Sequence, residues 1–70
     1  MMPLTMAQVG VSNEIKKVGG KPEVRKFLEN LGFVTGAGVI VVSQIGGNVI
    51  VNIKDSRVAI SSVLANKILI

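Results

Sequence analysis

The sequence contains no cysteine, histidine, tryptophan or tyrosine, only two phenylalanines, and four carboxylates among its 70 residues. Without cysteine or histidine it offers no thiolate nucleophile, no disulfide, no zinc cage of the common kind and no side chain that titrates near neutrality. The reading is therefore of a protein that binds rather than reacts, with no catalytic residue, no metal ligand and no cofactor. Long apolar runs are missing too. The longest aliphatic stretch, Val39-Ile40-Val41-Val42, falls far short of the roughly 18 residues a membrane helix needs. Residues Met1 to Gln8 show no basic region leading into a long apolar one, so no signal peptide is expected. The absence of cysteine agrees with a reducing compartment, and the expected location is cytoplasmic.

What is present is apolar and basic. Hydrophobic residues make up 49% of the chain and the mean hydropathy is +0.59, opposite to the signature of disorder. The net charge is +4 with a pI near 10.0. Such a balance favours nucleic acid, anionic lipid or an acidic protein surface without choosing among them. The cations Lys16, Lys17, Lys21, Arg25, Lys26, Lys54, Arg57 and Lys67 form no run of five or six, which also suits a plain solvated surface.

The chain reads as one domain over residues 1–70, with no repeat or linker. Val11 to Val18 alternates imperfectly and is expected to be a strand. Gly19-Gly20 breaks it, and Pro22 suits the first position of a helix. Val24, Phe27, Leu28 and Leu31 then recur at helical spacing as a core-facing stripe, with Gly32 closing the helix and Phe33 folding back towards Leu28. Val39 to Ile45 and Asn48 to Lys54 read as strands joined by a Gly46-Gly47 hairpin that pairs Ile45 with Asn48. In the second of these, Val49, Val51 and Ile53 share one face. Asp55-Ser56 is expected to turn the chain into a strand over Arg57 to Ile60. Ser61 or Ser62 caps a one-turn helix over Val63 to Asn66, and Lys67 to Ile70 is the last strand. The class is mainly β. Five strands this short are expected to curl into a small closed barrel, which leaves no edges exposed.

The remaining chemistry fails on spacing. Glu23 and Glu29 lie six residues apart on one helix, about 600° of rotation, and do not converge on one ion. Met1, Met2 and Met6 are the only soft ligands, and no harder ligand joins them. No glycine-rich phosphate loop of the dinucleotide or P-loop type is present. A nucleic-acid surface of barrel type stacks bases on exposed aromatics, whereas Phe27 and Phe33 are both assigned to the helix and its exit. A small basic domain that binds nucleic acid through Arg25 and Lys26 stands as the second reading, and docking on another protein as the first.

Three segments carry a resemblance: Leu4-Thr5-Met6-Ala7 with Gly10, Val24 to Phe33 followed by Gly36, and Val58-Ala59-Ile60 with Leu64-Ala65-Asn66-Lys67-Ile68. In this order and at this length they resemble the FeoA family, most specifically in the L-G-F-x-x-G step from Leu31 to Gly36 and in the C-terminal V-A-I…A-N-K-I segment. The resemblance implies a small SH3-like five-stranded barrel with one inserted amphipathic helix and a one-turn C-terminal helix. It also implies a partner, the ferrous-iron permease FeoB with its cytosolic G-protein domain, and a non-enzymatic accessory role without insertion into the membrane. Thr35 departs from the proline common before the turn glycine, and Ser61 from a basic residue after the V-A-I strand.

The candidate docking surface combines the helix residues Arg25, Lys26, Leu28 and Glu29 with the hairpin tip Ile45, Gly46, Gly47 and Asn48. The helix is the inserted element, and an aliphatic side chain beside a bare Gly-Gly turn is an apolar anchor with little cover. Leu28 is expected in the core as well, and its truncation separates the two roles.

Overall fold

In the computed structural model, which describes all 70 residues, a 3-10 turn (Leu4–Met6) is followed by β1 (Ser12–Glu14), β2 (Lys17–Val18), α1 (Pro22–Leu31) and β3 (Gly38–Ile45). β4 (Asn48–Ile53), β5 (Ser56–Ser61), α2 (Ser62–Ala65) and β6 (Ile68–Leu69) complete the chain. The class is mainly β with two short helices, as read from sequence. No helix is long and apolar enough to cross a membrane.

Two tight turns make the central meander. Gly46, with φ +58°, opens the β3–β4 connection, and Ile45 pairs with Asn48 as expected. The second turn lies one residue earlier than the Asp55-Ser56 expected: Ile53 pairs with Ser56, leaving Lys54 (φ +48°) and Asp55 (φ +63°) as its centre. Two central residues of positive φ match the right-handed twist of the flanking strands, and an aspartate adopts that conformation readily.

Hydrogen bonds join β1, β3, β4 and β5 into one antiparallel sheet in the order β1-β3-β4-β5, and β2 with β6 into a separate two-stranded ladder. The expected single strand over Val11 to Val18 is thus two strands in two sheets. Its imperfect alternation marks the crossing point, where fully buried Ile15 donates to Ala37 O at 2.9 Å and Lys16 donates to Leu69 O at 2.8 Å. The ladder consequently does not close into the expected five-stranded barrel. The bent chain at Ile15 joins the two sheets, and β5 ends the larger one because the chain leaves it directly into α2.

Val39, Val41, Val49, Val51 and Ile53 of the meander pack with Ile15, Leu28, Phe33 and Ile68 in a core of 14 buried residues. α1 takes the expected bounds. Gly32 at φ +110° closes it, its amide donating to Glu29 O at 2.9 Å while Phe33 N donates to Leu28 O at 3.0 Å. Leu28 is 0% exposed, but Phe27 is 51% exposed, against the expectation that it is core. At 100° per residue Phe27 lies about 70° from the mean direction of Val24, Leu28 and Leu31, outside the narrow stripe that a single helix lays on so small a body.

Leu28→Ala is expected to cost about 2–5 kcal/mol and Phe27→Ala under about 1 kcal/mol. Thermal melts of the two variants, where 1 kcal/mol moves Tm by about 4–8 °C in a domain of this size, separate them directly.

Candidate docking surface

The structure divides the sequence-derived candidates between two ends of one strand. A Cβ placed on Gly32, at the exit of α1, would lie 3.3 Å from Lys54 Cδ and 3.4 Å from Ile53 Cγ1. The C-terminal end of α1 therefore sits at the Ile53 end of β4. Ile45, Gly46, Gly47 and Asn48 lie at the other end, six residues of β4 away, or about 17 Å at the rise of an extended strand. Arg25, Lys26 and Glu29 are exposed on the helix. Leu28 is not on this surface: it is wholly buried and belongs to the core.

Ile45 faces out because of a register shift. From Val39 and Val41, both buried, strict alternation would carry Ser43 and Ile45 inward. Instead Val41 pairs with Val51 and Ser43 with Ile50, leaving Val42 as an extra residue in β3. The bulge moves every later side chain to the opposite face. Gln44, though exposed, takes the core-side position opposite Val49 and donates from Nε2 to Thr5 O at 3.1 Å. Ile45 turns to solvent and is 63% exposed.

Two further segments close around this tip. Gly47 O accepts from Ser62 N at 2.8 Å, which fixes the start of α2 against the turn. Ser61 caps that helix, its Oγ accepting from Leu64 N at 3.2 Å. The Thr5 hydroxyl donates to Asn66 Oδ1, tying the 3-10 turn to the end of α2. Each segment brings an exposed apolar side chain, Met6 at 68% and Val63 at 67%. Gly10 N donates to Val41 O at 2.9 Å, so the loop carrying exposed Val9 and Val11 meets β3 at its middle. Three of the eight exposed large hydrophobics of the chain, Met6, Ile45 and Val63, thus lie on the segments around the tip.

Charge is segregated from them. All eight cations and all four carboxylates fall within residues 14–29, 54–57 and 67. Glu14 pairs with Gly38 at the start of β3, where Val39 pairs with Ile53, and the Lys54-Asp55 turn follows there. Lys67 adjoins α2 in sequence, but its stem runs past Gly20, whose added Cβ would meet Lys67 Cδ at 3.0 Å. The 3-10 turn, the hairpin tip and α2 thus carry no charged side chain, whereas Glu14 and the Lys54-Asp55 turn lie at the opposite end of the four-stranded sheet, and Lys17 lies on the separate ladder, paired with Leu69. An open groove of about 490 Å³ over β1, β3 and β4 lies at the charged end, between Ser12, Ile40, Asn52, Lys54 and Asp55. No buried polar side chain points from it or from any other part of the chain.

Sequence reasoning found the tip but not Met6 and Val63. The long charge-free tracts 1–13, 30–53 and 58–66 were the available signal. Only the fold shows that the segments carrying them are joined, through Gln44 to Thr5 O and Ser62 N to Gly47 O.

The FeoA domain family model matches residues 2–70. Among solved structures, an iron uptake regulatory protein, FeoA, superposes with a TM-score of 0.86 at 25% identity, over 96% of this chain and 89% of that one. FeoA from Chlorobium tepidum gives 0.87 at 28% identity, over 97% and 67%. FeoA from Stenotrophomonas maltophilia, complexed with zinc and described as a procaryotic SH3 domain protein, gives 0.85 at 23% identity, over 99% and 88%. No curated protein matches the chain.

Ser61→Ala is expected to cost about 0.5–2 kcal/mol through loss of the α2 cap. Met6→Ser, Ile45→Ser and Val63→Ser each stay within about 0.5 kcal/mol because their side chains are already in water. Denaturant midpoints of the four variants check both statements.

Proposed function

The chain belongs to the FeoA family, associated with ferrous-iron transport, and we propose that it is a non-enzymatic accessory protein that docks on the cytosolic G-protein domain of the FeoB permease. This reading places it in the cytoplasm and makes it a modulator of iron uptake rather than a carrier or oxidant of iron. The uncharged apolar end of the sheet carries the reading. Met6, Ile45 and Val63, exposed on three hydrogen-bonded segments beside a Gly-Gly turn, have the character of an interface core, where charged side chains are depleted. Catalytic groups have no counterpart in it.

Within the surface suggested by sequence, the observations favour Ile45 to Asn48 over Arg25, Lys26 and Glu29. A helix face of interspersed cations and carboxylates in full contact with water yields little net binding energy. The nucleic-acid reading draws less support still: Phe33 is fully buried, and Phe27 alone provides no stacking platform.

Isothermal titration of the protein with the cytosolic domain of FeoB, at about 50 and 200 mM salt, tests this. The affinity is expected to change less than about threefold between the two salts, and Ile45→Asp to weaken it at least tenfold, about 1.4 kcal/mol. Binding that collapses with salt and with Arg25→Glu or Lys26→Glu, while Ile45→Asp leaves it intact, would move the site to the charged end.

A further inference from the structure

We propose that the free edge of β5 is a self-pairing edge, through which two copies of this chain join antiparallel about a two-fold axis at Ala59. β5 ends the four-stranded sheet, and its six residues keep an unbroken register with β4. Ile53 and Ser56 close the Lys54-Asp55 turn, and the residues that close a two-residue hairpin exchange both of their backbone hydrogen bonds. By alternation Ser56, Val58 and Ile60 aim their amides and carbonyls at β4, while Arg57 and Ala59 aim theirs away from it. No turn or loop hydrogen bond reaches the backbone of Arg57 or Ala59, and no side chain does. The other edges are defended. β1 has three residues and carries Glu14, ion-paired with Lys16 at 3.5 Å, and β2 has two residues. Beyond β1, the free side of β3 is met by Gly10 N at Val41 O and then bulges at Val42. Short, charged or bulged edges resist strand addition. β5 has no proline, no bulge and a single charge, Arg57.

The occupant follows from the register. With Ala59 on the axis, Ala59 faces Ala59 of the second copy, Arg57 faces its Ser61 and Val58 faces its Ile60. The outer face of the contact then has a small, exposed side chain at its centre and a neutral hydroxyl opposite each guanidinium. On the core side, half-buried Val58 gains a β-branched cross-strand neighbour, a stabilising kind of pair. The two Arg57 residues lie four positions apart along the strands, about 14 Å, beyond the Debye length of about 8–10 Å near physiological salt. Each guanidinium is also drawn back over its own sheet, its Nε donating to Asn52 Oδ1 at 3.3 Å. A second copy supplies all of these matches by symmetry, and the pairing merges two four-stranded sheets into one of eight. Because the edge groups bond to water in the single copy, each new hydrogen bond adds only a modest net gain, and the pair is a weak one. It does not rest on the docking reading above.

Sedimentation equilibrium of the full chain from about 10 µM to about 1 mM spans the affinities of weak dimers. The mean mass is expected to rise from one copy towards two. Over the same range amide exchange at Arg57 and Ala59 is expected to slow at least about threefold, while Val58 and Ile60, bonded to β4, stay protected throughout. Ala59→Pro removes an amide that β4 does not use, and Ala59→Asp sets two carboxylates opposite each other at the axis. Both are expected to hold the protein at one copy, with circular dichroism showing them folded. An equimolar mixture of Ala59→Asp and Ala59→Lys is expected to recover the pair, because only this axis brings position 59 opposite itself. A single copy at the highest concentration overturns the proposal, as does a dimer indifferent to both Ala59→Pro and Ala59→Asp or one abolished by Ile45→Asp. Exchange at Arg57 and Ala59 that slows only when the FeoB domain is added would give the edge to a partner strand and overturn self-pairing. Failure here, with FeoB binding still sensitive to Ile45→Asp, would leave the docking reading intact. A dimer sensitive to Ala59→Asp, with FeoB binding indifferent to Ile45→Asp, would do the reverse.

Discussion

The extra residue at Val42 governs what the uncharged end can present. Before it, β3 sends Val39 and Val41 into the core. After it, the parity reverses, Gln44 reaches Thr5 O and Ile45 stands in solvent. One inserted residue thus does two things: it anchors the 3-10 turn to β3 through a polar side chain, and it frees an aliphatic one at the hairpin tip. Because side chains in a strand repeat every two residues, no smaller adjustment could exchange the two faces. The bulge also bends its strand, and here it does so beside the turn that α2 caps from above through Ser62 N and Gly47 O.

The charged half is organised by different forces. α1 begins with Pro22, ends at Gly32 in a left-handed conformation, and is held by Leu28 alone among fully buried side chains. Its other faces are free to carry charge, which keeps a small, apolar chain soluble. The helix and the Lys54-Asp55 turn thus mix cations with carboxylates, while the 3-10 turn, the hairpin tip and α2 carry no charged side chain. Short turns and a capped helical turn make that apolar end stiff, so little conformational entropy is lost when a partner covers it. Docking of this kind requires no titrating or nucleophilic side chain, in keeping with a composition that contains neither histidine nor cysteine.

Much of this was legible before the structure. α1 and its glycine exit, the Gly46-Gly47 hairpin with Ile45 opposite Asn48, and a serine cap at Ser61 or Ser62, which the structure gives to Ser61, follow from local signals that act within a few residues. Long-range pairing was not legible. A strand that kinks at Ile15 to serve two sheets looks in sequence like one irregular strand, and the barrel inferred from counting strands assumed ladders that the chain replaces with a bend. The Lys54-Asp55 turn was misplaced by one residue because Asp55-Ser56 is also good turn chemistry. Phe27 was placed inside because helical spacing alone does not show how narrow the buried stripe is. The bulge at Val42 has no local marker, being one branched residue among four, and so the exposure of Ile45 rested on the turn beside it rather than on the parity that causes it. The split between the helix and tip candidates appears only once Gly32 is seen beside Lys54 and Ile53.

The most direct test of the docking surface is cross-saturation from protonated FeoB cytosolic domain to perdeuterated, methyl-labelled protein in their complex, because saturation passes only between touching surfaces. The account predicts signal loss at the methyls of Met6, Ile45 and Val63, and none at the methyls of Leu28 or Val24. Amide cross-saturation concentrated on Arg25, Lys26 and Glu29, with the Ile45 and Val63 methyls untouched, would contradict it.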